Sequence, residues 1–337
     1  MDSLSGKNIL ITGGCGTIGS QLVRQTLDKN PSVIRVLDID EEGLFNLKRS
    51  IGADRSVRYL QGDVRDRDRV ELAMENIDVV FHAAALKHVS LSEYNPFESI
   101  KTNVQGTQNV IRAAIENGVN SLVTISTDKS SNPISVMGAT KLLGERLTIA
   151  ANTYKGSQDT KFSCVRFGNV LGSSGSVIPI FKQQIQTGGP VTVTDPNMTR
   201  FVMPIRDAVK LVIQSHSRAT GGEVFVLKMP TVQVKTIAEA MISHHAPKVG
   251  FDKNDISTEI VGTRPGERAH EKLISEDEVS SAYDVGDMYV ILPQIDMPGY
   301  DSVTDSAGDS IQAAYTSDDP EPMSQDEFIE LMQSSDV

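Results

Sequence analysis

The chain has 337 residues, of which 39% are hydrophobic and 23% charged, a composition that can bury a sizeable globular core. Its net charge of −12 is concentrated in residues 301–337, which carry ten acidic side chains and no lysine or arginine, whereas the other residues hold 34 acidic and 32 basic side chains. This balance, together with the absence of tryptophan, disfavours nucleic-acid binding. No signal peptide and no apolar run of about 20 residues is evident, so the sequence predicts a cytoplasmic protein without membrane insertion.

Short apolar runs alternate with stretches of helical spacing along the chain. The runs predict strands at 7–12, 33–38, 57–60, 79–82, 122–125, 162–166 and 223–227. Helices are expected at 18–27, 104–117, 137–153 and 203–215. Because alternating strands and helices build parallel βαβ units, the predicted fold class is α/β. We expect a Rossmann-type doubly wound parallel sheet with a smaller C-terminal substrate-binding domain.

A glycine pattern follows the first predicted strand and opens the first helix. Gly13 permits a tight turn, Gly16 lets the backbone approach a pyrophosphate, and Gly19 permits close packing of helix on strand. Thr17 and Ile18 begin the helix, whose N-terminal N–H groups attract phosphate. The strand–loop–helix context therefore predicts a dinucleotide-binding site.

Asp38 ends the second predicted strand about 20 residues further on, where a carboxylate binds the ribose hydroxyls of NAD. Its negative charge would repel the 2′-phosphate of NADP, and no arginine follows at Ile39 or Asp40. The predicted cofactor is NAD, with NADP as the alternative.

These patterns predict a division of the chain into three parts. A dinucleotide-binding domain, a substrate domain and an acidic tail would comprise residues 1–168 plus 202–228, 169–201 plus 229–300, and 301–337. We expect the tail to be partly disordered, to end in a short helix at 328–332 that docks on a neighbouring subunit, and to be dispensable for the chemistry.

The Thr-Gly-x-x-Gly-x-x-Gly spacing resembles the extended short-chain dehydrogenase/reductase superfamily, whose members normally carry Tyr-x-x-x-Lys. Lys141 stands at the lysine position, but Met137 stands at the tyrosine position. A thioether cannot accept a proton at neutral pH, so any base must come from another residue.

The triplet Thr127-Asp128-Lys129, combined with Met137, resembles a narrower group. This group is the UDP-N-acetylglucosamine 4,6-dehydratases of the CapD-like polysaccharide-biosynthesis proteins, especially the short soluble members of CapE type. Asp38 departs from their pattern, since soluble relatives often use NADP. The resemblance covers most of residues 5–300, with further motifs in matching order that begin at His82, Arg166, Gly175, Thr194 and Arg264.

The resemblance implies a mechanism. C4 of the sugar is oxidised, the C6 hydroxyl leaves as water and hydride returns to C6, which gives a UDP-4-keto-6-deoxy-N-acetylhexosamine inverted at C5. Lys129 is expected to remove the C5 hydrogen, Asp128 to protonate the departing hydroxyl and to take the O4 proton, and Thr127 to orient O4. Lys141 would anchor the nicotinamide ribose, and its charge, with burial, would lower the pKa of Lys129 towards 7–8.

Other contacts and partners follow from the same resemblance. Asp63, Val64 and Ala84 are assigned to the cofactor, which would be tightly bound and regenerated in each cycle. A homo-oligomer, either a dimer or a hexamer, is expected, and no metal. The UDP-N-acetylhexosamine is assigned to Lys87, Asn169, Ser176, Val177, Arg200, Arg264 and Glu267, because guanidinium groups bind diphosphate with paired donors.

Two other functions stay open. A UDP-hexose 4-epimerase shares the fold, the cofactor and the C4 oxidation, but it needs no C5 base and ordinarily uses the tyrosine that Met137 replaces. A non-catalytic dinucleotide-binding protein is the second alternative, against which the presence of Asp128, Lys129 and Lys141 argues.

Overall fold

Short strands and helices alternate along residues 3–173, 175–297 and 308–335, which the structure, a computed structural model, describes. The strands are β1 (Asn8–Thr12), β2 (Val33–Asp38), β3 (Val57–Gln61), β4 (Val79–His82), β5 (Ser121–Ile125), β6 (Lys161–Arg166), β7 (Asn169–Val170), β8 (Val191–Val193), β9 (Thr199–Met203), β10 (Val224–Leu227), β11 (Thr231–Gln233), β12 (Thr258–Ile260), β13 (Lys272–Ile274), β14 (Ala282–Asp284), β15 (Met288–Ile291), β16 (Asp309–Ser310) and β17 (Tyr315–Thr316).

The helices lie between these strands, with a π-helical segment at Lys101–Gly106 and 3₁₀ turns that include Asp128–Ser130 and Glu276–Ser281. The α-helices are α1 (Thr17–Leu27), α2 (Glu41–Ile51), α3 (Arg67–Met74), α4 (Val89–Tyr94), α5 (Pro96–Ile100), α6 (Thr107–Glu116), α7 (Val136–Tyr154), α8 (Val177–Gln186), α9 (Ile205–Arg218), α10 (Val234–His245) and α11 (Gln325–Ser334).

Ten strands of the described chain form one large sheet, in the order β16-β14-β15-β10-β6-β5-β4-β1-β2-β3. The run from β3 to β10 is parallel throughout, and β15, β14 and β16 extend its edge in antiparallel fashion. The order 3-2-1-4-5-6 is that of a Rossmann sheet. The predicted Rossmann-type doubly wound α/β fold is therefore confirmed.

The central strands are apolar on both faces because helices cover both sides of the sheet. In β1, Ile9 and Ile11 pack into one buried cluster with residues of α1 and α9, while Leu10 packs into another with residues of α3 and α6. Alternate side chains of a strand point to opposite faces, so this segregation identifies the two covering layers. The continuous apolar run of β1 follows from that double cover.

A smaller region stands beside the large sheet and has its own core. Three smaller sheets of the described chain lie outside the large one, namely β11-β9-β7 and the pairs β12-β8 and β13-β17. Phe181 of α8, Met241 of α10 and Phe328 of α11 are buried together in the core of the smaller region. The helix predicted from residue 203 begins at Ile205 instead, because Pro204 ends β9 and precedes the first turn of α9.

The C-terminal part of the chain is more closely integrated than we expected from its composition. Strands β14 and β15, from the range 229–300, and β16, from the tail, belong to the large sheet. The helix predicted at 328–332 is present as α11. It packs on α10 of the same chain, whereas we expected it to dock on a neighbouring subunit. Residues 301–307 of the tail lie outside the described residues.

A buried cation joins three elements beneath the carboxyl end of the sheet. Arg166, at the end of β6, is 1% exposed and donates hydrogen bonds through all of its N–H groups. It binds Glu145 of α7 at 2.7 and 3.1 Å and Glu278 at 2.9 Å. Its remaining bond goes to the carbonyl of Leu273 in β13 at 2.8 Å. Two carboxylates and one carbonyl therefore satisfy one guanidinium.

This Glu145–Arg166–Glu278 triad also reaches the turn after β5. The Ser130 hydroxyl lies 2.7 Å from Glu145 Oε1 and 2.6 Å from the carbonyl oxygen of Thr127. The triad thus fixes the turn at 127–130 and β13 relative to the sheet.

No helix of the described residues combines the length and the apolar composition that a bilayer span requires.

We expect Phe328→Ala to lower the free energy of unfolding by about 3–5 kcal/mol, because the ring is fully buried between α11 and its neighbours. Urea unfolding at neutral pH measures this loss, and Glu330→Ala, on the exposed face of the same helix, serves as the matched control. A loss below 1 kcal/mol for Phe328→Ala would mean that α11 does not dock as described.

The triad makes a prediction about acid stability. Burial raises the pKa of Glu278, but Arg166 and the hydrogen bonds from Ser275 outweigh burial and hold it below its ordinary value of 4.5. Its stabilising contribution is therefore complete above pH 4.5 and is lost as the pH falls through the folded-state pKa. Glu278→Gln should cost about 3–5 kcal/mol at pH 7, since it breaks a buried ion pair.

Urea unfolding of both proteins between pH 7 and more acidic buffers tests this dependence. The free energy of unfolding of Glu278→Gln should approach that of wild type as the pH falls. Asp277→Asn changes an exposed neighbour and should have the same free energy of unfolding as wild type at each pH. A difference that stays constant down to the acid limit of folding would contradict the assignment.

Candidate active site

The glycine loop after β1 fits a dinucleotide closely. Gly13 has φ +65°, and a Cβ there would lie 2.6 Å from the backbone of Ala84. A Cβ at Gly19 would overlap the carbonyl oxygen of Gly13, so the start of α1 packs directly on the loop. Gly16 is the N-cap of α1 and makes no side-chain cap hydrogen bond, and the first turn of the helix follows it directly. These features provide the cradle that a pyrophosphate requires.

Asp38 lies at the end of β2 beside this loop. Its Oδ2 accepts a hydrogen bond from the backbone N–H of Cys15 at 2.8 Å, and its Oδ1 accepts one from Asp40 at 3.1 Å. The carboxylate is therefore fixed against the glycine loop, with lone pairs remaining for ribose hydroxyls. Burial and the charge of Asp38 raise the pKa of the Cys15 thiol to about 12, so this cysteine stays protonated.

The other predicted cofactor residues lie at the ends of neighbouring strands. Ala84 follows β4, and its backbone lies directly against Gly13. Val64 is buried against Gly106 in the π-helical segment. Asp63 binds the guanidinium of Arg65 at 2.6 Å, so its carboxylate is engaged by that cation.

The triplet after β5 forms a compact acid–base turn. Asp128 is 1% exposed, and its Oδ1 accepts hydrogen bonds from Thr127 Oγ1 at 2.7 Å and from Lys129 Nζ at 3.0 Å. Its Oδ2 is buried and has no hydrogen-bond partner in the described part of the chain. A buried carboxylate oxygen left open in this way is suited to a substrate hydroxyl.

The environment of Lys129 differs from our expectation. Its ammonium lies between Asp128 Oδ1 and, at 3.3 Å, Glu271 Oε1. Burial lowers the pKa of Lys129, but the two carboxylates outweigh burial and the nearby Arg200, and the pKa is raised above its ordinary value. The expectation of a lowered pKa is therefore wrong for this arrangement, because a carboxylate distant in sequence joins the site.

Lys141 and Met137 lie on the first turns of α7, below the acid–base turn. Lys141 donates a hydrogen bond from Nζ to the carbonyl of Ile125 at 2.5 Å, and burial lowers its pKa. Met137 is 3% exposed. The cation that opposes proton binding at Lys129 is Arg200, not Lys141 as the sequence led us to expect.

Two of the predicted substrate residues present unsatisfied polar atoms. Asn169 Oδ1, in β7, and Ser176 Oγ, before Val177 at the start of α8, are buried without a partner among the described residues. With Asp128 Oδ2, three residues that we assigned to one site thus retain open hydrogen-bonding capacity.

Two loops with substrate residues converge on the segment between β4 and α4, which carries the exposed Lys87. A Cβ at Gly175 would lie 2.6 Å from the ring of His88, and a Cβ at Gly266 would lie 3.3 Å from the side chain of Val89. The loops that carry Ser176 and Glu267 are therefore brought to one place.

Arg200 is already bound by protein groups. It is 9% exposed, lies 3.3 Å from Glu267 Oε1 and donates to the carbonyl of Ala269 at 3.1 Å. Arg264, by contrast, is exposed on the loop before Glu267. Of the two arginines that we assigned to a diphosphate, only Arg264 has an exposed side chain in this structure.

Glu271 is the residue of the site that sequence reasoning missed. It is 4% exposed and lies between Lys129 at 3.3 Å and Arg200 at 3.9 Å. The charges of Asp128, Lys129, Glu271, Arg200 and Glu267 therefore alternate in one connected series. One feature of the sequence could have pointed to Glu271, namely its position shortly after the 264–267 motif.

No group of three or more possible metal ligands occurs among the residues that the structure describes.

Known proteins resemble this chain over most of its length. The family described as polysaccharide biosynthesis protein matches residues 9–293. A protein of Methanocaldococcus jannaschii, described as an uncharacterized membrane protein, is 55% identical over 85% of this chain and 86% of its own. The UDP-N-acetylglucosamine 4,6-dehydratase (inverting) of Campylobacter jejuni is 43% identical over 88% of this chain and 86% of its own. The X-ray structure of Pen from Bacillus thuringiensis is 42% identical, with a TM-score of 0.91 over 99% of both chains.

Two further proteins bear on the alternatives. The UDP-glucose 4-epimerase of Rickettsia canadensis is 38% identical over 85% of this chain and 82% of its own. The structure of DesIV, a dTDP-glucose 4,6-dehydratase from Streptomyces venezuelae with NAD bound, has a TM-score of 0.70 at 21% identity over 97% of this chain and 96% of its own, a likeness of fold alone. With the family match spanning most of its length and the relatives above 40% identity, the chain belongs to the polysaccharide biosynthesis protein family, as its motifs indicated.

Proposed function

We propose that this protein is a UDP-N-acetylglucosamine 4,6-dehydratase that inverts C5 and makes a UDP-4-keto-6-deoxy sugar for surface polysaccharide or glycan synthesis. The observation that carries the proposal is the acid–base turn, in which Asp128 keeps one buried oxygen open beside a lysine. An alcohol oxidation alone needs one proton acceptor, whereas dehydration needs groups for three protons. The relative of that name in Campylobacter jejuni supports the same assignment.

The cofactor in this proposal is NAD, held by the glycine loop, Asp38 and Lys141. When bound, it would supply a hydride acceptor that is restored in each cycle, and tight binding is part of the proposal. Asp38 supports NAD over NADP because its fixed carboxylate would repel a 2′-phosphate. Ala84 would lie against the cofactor beside Gly13, with Val64 and Asp63 towards the adenine.

The acid–base turn would then move three protons. Asp128 Oδ2 would take the proton of the sugar O4, which Thr127 helps to orient, and would later give it to the departing C6 hydroxyl. Lys129 would remove the C5 hydrogen, which the new C4 ketone makes acidic. Met137 contributes no proton transfer, so loss of the Asp128 carboxylate would leave no substitute. Lys129 must lose a proton before it can act.

The UDP moiety would lie between the converging loops. Arg264 is exposed and can bind the diphosphate with paired donors, and the N-terminus of α8 adds N–H groups beside Val177. Asn169 would accept a hydrogen bond through its open Oδ1, and the open hydroxyl of Ser176 would donate or accept one. Lys87, Arg200 and Glu267 remain proposed contacts, with Arg200 acting through its bond to Glu267.

The assembly and the location of the protein belong to the same proposal. A homo-oligomer, dimer or hexamer, is supported by the exposure of Tyr94 and Phe97, which are 87% and 75% accessible on α4 and α5. A cytoplasmic location agrees with the free thiols of Cys15 and Cys164.

An epimerase is the second candidate, favoured by the 38% identity to the Rickettsia canadensis protein. Lys129 and Met137 argue against it, because 4-epimerisation needs no C5 base and ordinarily uses the missing tyrosine. A non-catalytic role is less well supported, since the open oxygen of Asp128 would serve no purpose in it.

We expect the protein to bind NAD more tightly than NADP. Asp38→Ala should bring the dissociation constants for NAD and NADP closer together, because it removes the charge that repels the 2′-phosphate. Calorimetric titration of both nucleotides measures this, and Glu41→Ala, an exposed acid on the first turn of α2, should leave the preference unchanged. Tighter binding of NADP by wild type would refute the assignment.

Turnover of UDP-N-acetylglucosamine in deuterium oxide separates the candidate functions. A dehydratase should place solvent deuterium at C5, and the hydrogen of substrate C4 should appear at C6 undiluted by solvent. An epimerase would leave C5 protonated and return the hydrogen to C4. NMR of the product distinguishes these outcomes.

The same experiment tests the two residues of the acid–base turn. Lys129→Met should still bind nucleotide through Lys141 but should lose elimination, and Asp128→Asn should be at least as damaging. Near-normal dehydration by Lys129→Met would end this mechanism, and a product that is only the C4 epimer would favour the alternative.

A further inference from the structure

The Lys129 ammonium has two carboxylates beside it, and their negative charge opposes the loss of a proton that a general base must undergo. Three charged groups face it: Asp128 from its own turn, Glu271 from the segment before β13, and Arg200 from β9. Both carboxylates favour the protonated form of the amine, and only Arg200 opposes them. At neutral pH a lysine in this setting stays protonated and cannot act as a base unless a neighbouring group accepts its proton.

Glu271 is the better of the two neighbouring carboxylates to receive that proton. Asp128 Oδ1 accepts hydrogen bonds at 2.7 and 3.0 Å, which stabilise its charge, and its other oxygen is open for the sugar. Glu271 contacts Lys129 at 3.3 Å and Arg200 at 3.9 Å, without a shorter bond to either through its side chain. It therefore loses less hydrogen bonding than Asp128 when it becomes neutral.

The backbone around Glu271 is held firmly by the C-terminal segment. The buried Ser317 donates from its N–H to the carbonyl of Glu271 at 2.8 Å and accepts from the N–H of Glu271 at 2.9 Å. The Ser317 hydroxyl also meets Thr199 Oγ1 at 2.6 Å, next to Arg200. One serine of the tail thus fixes the two segments that face the Lys129 ammonium from outside its own turn.

We propose that Glu271 is a positioning residue that accepts a proton from Lys129 and so prepares the lysine as the C5 base. This inference rests on the proposed dehydratase function. The step is a transfer within one pair: the ammonium and the carboxylate become a neutral amine and a carboxylic acid. The amine then removes the C5 hydrogen, and the electron pair of the C5–H bond moves towards the C4 ketone.

Substrate binding supplies the driving force for this transfer. A bound sugar displaces water, and an ion pair taken out of water loses hydration that a neutral pair does not need. The active form holds one proton on the Lys129–Glu271 pair, as does the resting ion pair. The fraction of protein in the active form is therefore independent of pH as long as the pair neither gains a proton from solvent nor loses one to it.

This arrangement predicts distinct pH profiles. In wild type, kcat for dehydration should be nearly flat between about pH 6.5 and 9. In Glu271→Gln the lysine must lose its proton to solvent, so kcat should rise about tenfold per pH unit across that range and lie at least about 100-fold below wild type at pH 7. Glu271→Asp retains a carboxylate and should give a flat profile with reduced kcat.

Controls separate this role from a structural one. Ser317→Ala loosens the support of Glu271 without changing the charges, so it should lower kcat and leave the profile flat. Glu276→Gln, an exposed acid 69% accessible, should match wild type. Thermal unfolding of each variant reports its folding, and KM for UDP-N-acetylglucosamine should change far less than kcat in Glu271→Gln.

A flat profile in Glu271→Gln, or a wild-type kcat that itself rises tenfold per pH unit, overturns the proposal. The proposal also fails if kcat of Glu271→Gln levels off at a lower pH than kcat of wild type does. Glu271 would then only raise the pKa of Lys129. If wild type forms no 4-keto-6-deoxy product at any pH, the proposed function fails first, which is a separate outcome.

Discussion

The site depends on one buried guanidinium. Arg166 binds Glu145 and Glu278 and is 1% exposed, so its charge is satisfied only if α7, β6 and the 276–281 turn meet correctly. Removing one member of such a triad strands a charge away from water, at a cost of several kcal/mol. Ser130 joins the triad to the acid–base turn, and Leu273 joins it to the segment after Glu271. Hydrogen bonds to one buried guanidinium therefore fix the position of the acid–base turn relative to the segment that carries Glu271.

Charge alternation is the second organising feature. Asp128, Lys129, Glu271, Arg200 and Glu267 form a series in which neighbouring charges have opposite signs. Such a series orders its members, but it also engages groups that a substrate would otherwise bind. A diphosphate that reaches Arg200 must compete with Glu267, whereas the exposed Arg264 has no such competitor in the described chain. Selectivity for the sugar nucleotide would thus include the free energy of rearranging this series.

Local sequence patterns predicted the features that depend on near neighbours. The glycine loop, Asp38 and the 127–129 triplet lie at the ends of strands, where a periodic apolar run and its final residues indicate both element and position. Long-range features escaped this reasoning. Glu271, which contacts Lys129, lies directly before β13, and β13 pairs with β17 of the tail, whose acidic composition suggested disorder. The pKa of Lys129 was misjudged for the same reason, since its sign depends on a carboxylate from another segment.

The place of Ser317 in the chain has a consequence for biosynthesis. The strands that build the nucleotide cradle, β1 to β5, emerge from the ribosome well before residues 308–335, and N-terminal units generally fold first during translation. Only after their own synthesis can α11 complete the smaller core and Ser317 hold the backbone of Glu271. A nascent chain can therefore fold its glycine loop while the segment that fixes the backbone of Glu271 is still unsynthesised. A chain stalled before residue 308 would lack that support.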